Sequence, residues 1–330
     1  MNTRLKNLRL QKLVVVVAIV LFIIKVIAYL LTNSVAVLTD ALESTINVIA
    51  GLIGLYSLYV SAKPRDLDHP YGHGKAEFIS AAVEGTLILI AGLIIIYEGT
   101  RKLLTPHPLY KIDTGIILIG ISALVNFVVG QICVNTGKRN NSLALIASGN
   151  HLKTDTYSTV AVTVGLILIY FTEIMWIDSV VAIAMGFFII FTGYKILRTS
   201  IAGIMDEADE ALLSKMIATL NSNRRPNWID LHNLRVIKYG SILHIDCHLT
   251  VPWYLNVEEG HSEVEALGSL IRNEYGESIE LFVHTDGCRE FSCPICIKEN
   301  CPVRQHSFVK KLEWSVENIL TDAKHSVEMG

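Results

Sequence analysis

Residues 34–62 read SVAVLTDALESTINVIAGLIGLYSLYVSA, a run apolar enough to enter a bilayer that nevertheless carries Asp40, Glu43, Ser44, Thr45 and Asn47 in its first half. An ionisable group at the centre of a membrane costs several kcal/mol, so such residues face a cavity and mark an ion pathway. Glu43 and Asn47 are four residues apart and project from one face of a helix. The stretch therefore reads as a membrane span with ligand-type side chains inside it.

Working outward, apolar stretches of spanning length recur at 13–31, 35–62, 78–97, 114–134, 142–171 and 175–197. A hydrocarbon core of about 30 Å takes ~20 helical residues, so each can cross once. The 330-residue chain is 51% hydrophobic and only 18% charged, too few charges for a wholly water-facing surface. Its mean hydropathy is +0.44. The first stretch is longer than a signal-peptide core and is followed by more spans, so it reads as retained. A net charge of -3 gives no reason to expect a nucleic-acid partner.

Beyond Met205 charges become frequent, and about 120 residues remain for one small soluble domain. Helices are expected over 207–221 and 257–275, and strands over 231–239, 242–251 and 279–284, with a tight turn at 239–241. In the second strand Leu243, Ile245, Cys247 and Leu249 share one face, and His244, Asp246 and His248 the other. The expected fold class is an α-helical membrane protein: six transmembrane helices, then a small α+β domain of order α-β-β-α-β and a Cys-rich tail. The expected boundaries are 1–205, 206–287 and 288–330, with a terminal helix over 308–324.

Orientation follows from the cations. Arg4, Lys6, Arg9, Lys12, Lys63, Arg65, Lys75, Lys138, Arg139, Lys195 and Arg198 fall on one side, against Arg101, Lys102 and Lys111 on the other. The positive-inside rule then puts both termini and the soluble domain in the cytoplasm of an inner, or plasma, membrane.

The fifth span holds Asn150, His151, Lys153, Thr154 and Asp155. His151 and Asp155 share a helical face, and they lie as deep from one side as Glu43 and Asn47 lie from the other, roughly 14–20 Å at 1.5 Å per residue. Carboxylate, amide and imidazole meeting at the midplane suit a divalent ion. His151 titrates near neutrality and must lose its proton to bind metal, which offers a route to proton coupling. No Walker-type G-x-x-x-x-G-K-[ST] supports ATP as energy source, and no H-E-x-x-H supports a metalloenzyme.

The segments SVAVLTDALESTINVIAG, HPYGHGKAE and GNHLKTDTYSTVAVTVG resemble the signatures of the cation diffusion facilitator family. The resemblance extends over about 13–286 and implies a homodimeric, proton-coupled exporter of zinc or a related dication. It maps the transport site to Glu43, Asn47, His151 and Asp155, with Asp40 one turn away as a further ligand. The chain departs from the family pattern in its second span: relatives usually carry His or Asp where Glu43 stands, and Asp where Asn47 stands. The resemblance also implies a loop site at Asp66, His69 and His73, and cytoplasmic metal binding at His232, His248, His261, His284 and Asp286.

Cys288-x4-Cys293-x2-Cys296-x4-Cys301 lies outside that pattern. Four thiolates suit tetrahedral zinc, with an iron–sulfur cluster as the alternative. Lys25 in the first span is expected to snorkel or to pair with an acid such as Glu84, which could itself assist proton movement. Against the exporter stand a membrane-bound metal sensor that moves no ion and an exporter of manganese, iron or cobalt.

Overall fold

The computed structural model describes residues 2–61, 63–105, 109–139, 143–239, 242–276 and 279–327; the side chains at 2–9, 11, 12, 51, 55, 58, 137–139, 143–148, 150 and 151 lie outside that description. Residues 240 and 241 of the turn expected at 239–241 lie outside it too. Two compact units form, one from Met1–Leu58 with Ile79–Ile201, the other from Tyr59–Phe78 with Ala202–Gly330.

The first unit is built on six helices: α1 (Asn2–Thr32), α2 (Val35–Ser61), α3 (Ala76–Leu104), α4 (Ile112–Arg139), α5 (Leu143–Thr172) and α6 (Trp176–Ile204). All six contain a stretch long and apolar enough to cross a membrane. Glycine decides how closely they pack. Gly85, Gly92 and Gly99 recur every seven residues on α3 and face Gly193, Gly186 and Ser179 on α6. A Cβ on Gly85 would stand 2.9 Å from the Leu197 nitrogen, and one on Gly92 would stand 3.1 Å from the Gly186 oxygen. Small residues that bring backbones together supply the van der Waals contact that holds helices in lipid. On α4 and α5, Gly130 and Gly149 meet in the same way, a Cβ on Gly149 falling 2.6 Å from the Gly130 oxygen.

At one end of the bundle Asp178 of α6 caps α2. Its Oδ2 accepts the Val35 N–H at 2.6 Å and its Oδ1 the Ala36 N–H at 3.3 Å, while the Ser34 hydroxyl also bonds to it. Ser34 Oγ accepts the Val37 N–H at 3.1 Å. A buried carboxylate thus satisfies orphan amides at the positive end of a helix.

The second unit contains α7 (Glu210–Ser222), β1 (Asp230–Tyr239), β2 (Ile242–Val251), α8 (Val257–Tyr275) and β3 (Ile279–Gly287), the expected α-β-β-α-β order. β2 is central, antiparallel to β1 and parallel to β3. Leu213, Met216 and Leu220 of α7 and Leu267 and Ile271 of α8 close the core over Leu231, Ile245, Cys247 and Leu249. An Asn256–Glu259 capping box starts α8.

The terminal helix expected over 308–324 does not form at that length; one turn does, as α9 (Val316–Ile319). The reason is burial with a period of two: Leu312 and Trp314 point inward while Lys311 and Glu313 are exposed. Trp314 joins the core, and its backbone exchanges hydrogen bonds with the Asn221 side chain at 2.7 and 3.1 Å. Arg224 stacks 4.2 Å from the Trp314 ring and donates to the Leu312 carbonyl.

The glycine seam makes a direct prediction. Gly85→Leu forces α3 from α6 and lowers stability by about 1–3 kcal/mol, the usual cost of overpacking. Gly54→Ala, where nothing lies within 4 Å of the new Cβ, causes no loss of stability. Thermal unfolding of the two variants in detergent provides the comparison.

Candidate metal centres

At the middle of the bundle, Asn47 Nδ2 donates to Asp155 Oδ2 at 2.9 Å, joining α2 to α5. One turn away, Ser158 donates to Glu43 Oε2 at 3.1 Å and lies 2.9 Å from the Asp155 carbonyl. Glu43, Asn47 and Asp155 therefore meet across the same helix pair. His151 falls one turn before Asp155 on α5, and its side chain is outside the described ones.

Behind these groups sits a buried charge pair. Lys25 Nζ lies 2.9 Å from Asp40 Oδ1, and the Thr159 hydroxyl lies 2.7 Å from the same oxygen. Both charged residues are about 1% exposed. Lys25 thus does not snorkel; it pairs with an acid, as expected, but the acid is Asp40 on the neighbouring helix and not Glu84. Asp40 spends its charge on Lys25, which leaves Oδ2 as its only oxygen without a hydrogen bond.

In the second unit, the loop before α3 gathers ligand atoms of Asp66, His69 and His73 within 4.8 Å. His69 donates its backbone N–H to Asp66 Oδ1 at 2.7 Å, and its ring lies 4.3 Å from that of His73. Slight burial raises the Asp66 carboxyl, but the two bonds from His69 outweigh it and hold Asp66 below its ordinary range. The loop rests on the sheet through Arg65 paired with Glu280 and Tyr71 packed against Tyr239 and His244.

His232, His248 and Asp286 form a second group within 4.8 Å. Strand register brings them together: His232 pairs with His248, and His248 with His284, across three adjacent strands. His284 Nε2 stands 3.7 Å from Asp286 Oδ1, at the exposed edge. His261 is exposed on α8 and is not part of the group. A bulge in β1 interrupts pairing between His232 and Arg235, and Asn233, at φ 52°, reaches 3.2 Å from His248 Nε2.

The tail supplies residues that sequence reasoning missed. His325 is buried, with Nδ1 2.6 Å from Asp230 Oδ1 and Nε2 3.1 Å from the Asn318 carbonyl. Two acceptors on one ring favour the imidazolium. Burial opposes that charge, yet the Asp230 carboxylate prevails and raises His325. Burial likewise opposes the Asp230 charge, yet bonds from His232 and His325 hold its carboxyl far below the usual range. Lys324 reaches Asp286 Oδ1 at 3.0 Å. Sequence spacing could not find these contacts, because they form only when the tail folds back on β1. The four tail cysteines line one small cavity.

Six apolar helices holding carboxylates at mid-depth, followed by a His/Asp-bearing soluble sheet, define a polytopic carrier of divalent cations. The comparisons agree: residues 12–205 match the cation efflux transmembrane domain, and residues 208–288 the cytoplasmic domain of cation efflux proteins. The chain belongs to the cation diffusion facilitator family of efflux transporters. It is 36% identical over 248 residues to an uncharacterized transporter of Synechocystis sp., covering 75% of this chain and 80% of the relative. It is 26% identical over 273 residues to the cation-efflux pump FieF of Shewanella oneidensis, covering 82% and 91%. With the manganese efflux system protein MneP of Bacillus subtilis the figure is 24% over 269 residues, covering 79% and 90%.

Two outcomes follow from this geometry. Lys25→Ala strands the Asp40 charge and costs about 3–5 kcal/mol, whereas Lys25→Met with Asp40→Leu recovers most of it; thermal unfolding of both in detergent measures the difference. The Asp230–His325 pair should also make tail docking pH-dependent. The raised His325 stabilises fully below its ordinary value, and that gain is lost as pH rises through the raised one. The lowered Asp230 stabilises above the ordinary carboxylate range, and its gain is lost as pH falls through the lowered one. Protection of the His325 amide, which donates to Asp230 Oδ2 at 2.9 Å, should therefore fall toward alkaline pH. In Asp230→Asn it should be weak throughout, as hydrogen exchange would record.

Proposed function

We propose that the protein exports zinc in exchange for protons through Glu43, Asn47, His151 and Asp155. We place it in the inner membrane as a homodimer, with both termini in the cytoplasm. The observation that carries this reading is the Asn47–Asp155 bond beside Glu43, which brings donors from α2 and α5 to one point. Lys25 neutralises Asp40, so Glu43 and Asp155 are the carboxyl groups the local set can offer a dication.

Without metal, the Asn47 amide N–H holds Asp155. A dication competes for that carboxylate, and Asn47 can then turn its amide oxygen toward the ion. His151 binds only as the neutral ring, so loading releases a proton and proton entry from the far side favours unloading. Three oxygen-bearing ligands beside one imidazole also suit manganese, and iron(II) or cobalt less distinctly. Asp66, His69 and His73 would gather metal from the cytoplasm. His232, His248 and Asp286, with His284 at the edge, would hold zinc and report its level to the dimer.

The test is metal uptake into proteoliposomes under an imposed pH gradient, with zinc, manganese, iron(II) and cobalt in parallel. Zinc flux should require the gradient. Asp155→Ala and His151→Ala should each reduce it roughly tenfold or more, the ratio that ~1.4 kcal/mol of lost binding produces. Binding of all four ions with no flux would reject transport in favour of a metal sensor. Manganese flux without zinc flux would reassign the ion.

A further inference from the structure

β3 ends at Gly287, and the next residue begins the cysteine series. Cys288 extends the sheet, its N–H donating to the Val251 carbonyl at 2.9 Å. Cys293 lies in the 3-10 turn Glu290–Ile295, and the Cys296 N–H closes back on the Cys293 carbonyl at 3.3 Å. The Arg304 guanidinium then ties the loop shut, donating to the carbonyls of Cys293 at 2.9 Å, Cys296 at 3.1 Å and Lys298 at 2.7 Å. Backbone bonds and one arginine thus turn all four thiols, with Lys298 and Arg304, onto one cavity of ≈ 10 Å³.

That volume is room for about one atom-sized occupant. The cysteines form no disulfide. Their sulfurs stand wider apart than the two His/Asp groups, whose ligand atoms lie within 4.8 Å, so an ion would draw them inward to the ~2.3 Å of zinc–sulfur bonds. Charge is also matched. Four thiolates around a dication leave two negative charges, and Lys298 and Arg304 on the cavity wall carry two positive ones. The Tyr254 hydroxyl, buried without a hydrogen-bond partner, faces Cys301 and can donate to its thiolate.

We propose that Cys288, Cys293, Cys296 and Cys301 hold one resident zinc ion as a closed tetrathiolate, a structural site separate from the transport path. Its place in the fold defines its work. Cys288 belongs to the sheet, and the other three belong to the segment that leads into the tail. The amides of Val309 and Lys310 return to the Pro294 carbonyl, inside the same loop, at 2.8 and 3.2 Å. The ion fixes the root of the segment that carries Trp314 into the core and His325 onto Asp230. This assignment does not rest on the transport reading.

Cobalt(II) loading of the reduced, full-length protein in detergent tests it. Wild type should show thiolate-to-cobalt charge-transfer absorption in the near ultraviolet and tetrahedral bands in the red, both erased by one equivalent of zinc per chain. The bands should persist in His232→Ala/His248→Ala and in Cys133→Ala, and vanish in Cys296→Ser and Cys301→Ser. Hydrogen exchange of residues 309–325 should rise when the metal is stripped. If wild type gives no charge-transfer bands, and all four thiols react freely with a thiol reagent in the presence of zinc, the site does not exist. Bound iron with acid-labile sulfide would overturn the zinc assignment. The wild-type spectrum decides even if a serine variant fails to fold.

Discussion

A lysine and an aspartate 2.9 Å apart, both withdrawn from solvent, set the terms for the helix bundle. Neither charge is tolerable alone at this depth, so α1 and α2 must meet where Lys25 and Asp40 meet. Thr159 adds α5 to the same point. Pairs of this kind contribute little net stability, because desolvation offsets their attraction, but they penalise every arrangement that separates them. Here the arrangement they enforce places Glu43 and Asn47 against Asp155. The meeting of these three side chains and the neutralisation of Asp40 beside them therefore have one source.

Much of this was legible in the chain. Spans, soluble domain and α-β-β-α-β order follow from hydropathy and period, which act locally and leave a local trace. The pairing of α2 with α5 at mid-depth followed from counting residues at a fixed rise. What stayed hidden depended on which helix packs against which: Lys25 has several acids within plausible reach, and hydropathy does not rank them. The tail misled for a different reason. Residues 308–324 have helical composition, but Leu312 and Trp314 are both buried, Trp314 in the core, and reach their places in extended form. Tertiary burial prevailed over propensity.

The soluble sheet shows how register can do what sequence spacing cannot. His232, His248 and His284 are far apart in the chain yet neighbours across three strands. The β1 bulge turns Asn233 toward the same group, and its N–H bonds to the Thr321 carbonyl at 2.9 Å. Lys324 meanwhile binds Asp286 Oδ1, beside the Oδ2 that faces His232 and His248. The tail thus braces that group, through Asn233 on one side and Asp286 on the other.

Asp178 has a mechanical meaning beyond capping. It binds the start of α6 to the start of α2 through buried hydrogen bonds, while the glycine seam makes α3 and α6 one stiff piece. A stiff piece fastened at one end is a lever. α6 runs for 29 residues, about 43 Å at 1.5 Å per residue. A tilt of about five degrees at the fastened end sweeps the other through about 4 Å, roughly two thirds of a helical turn. Displacement is smallest at Asp178 and largest at Ile204, where the chain leaves the helix bundle for its soluble half.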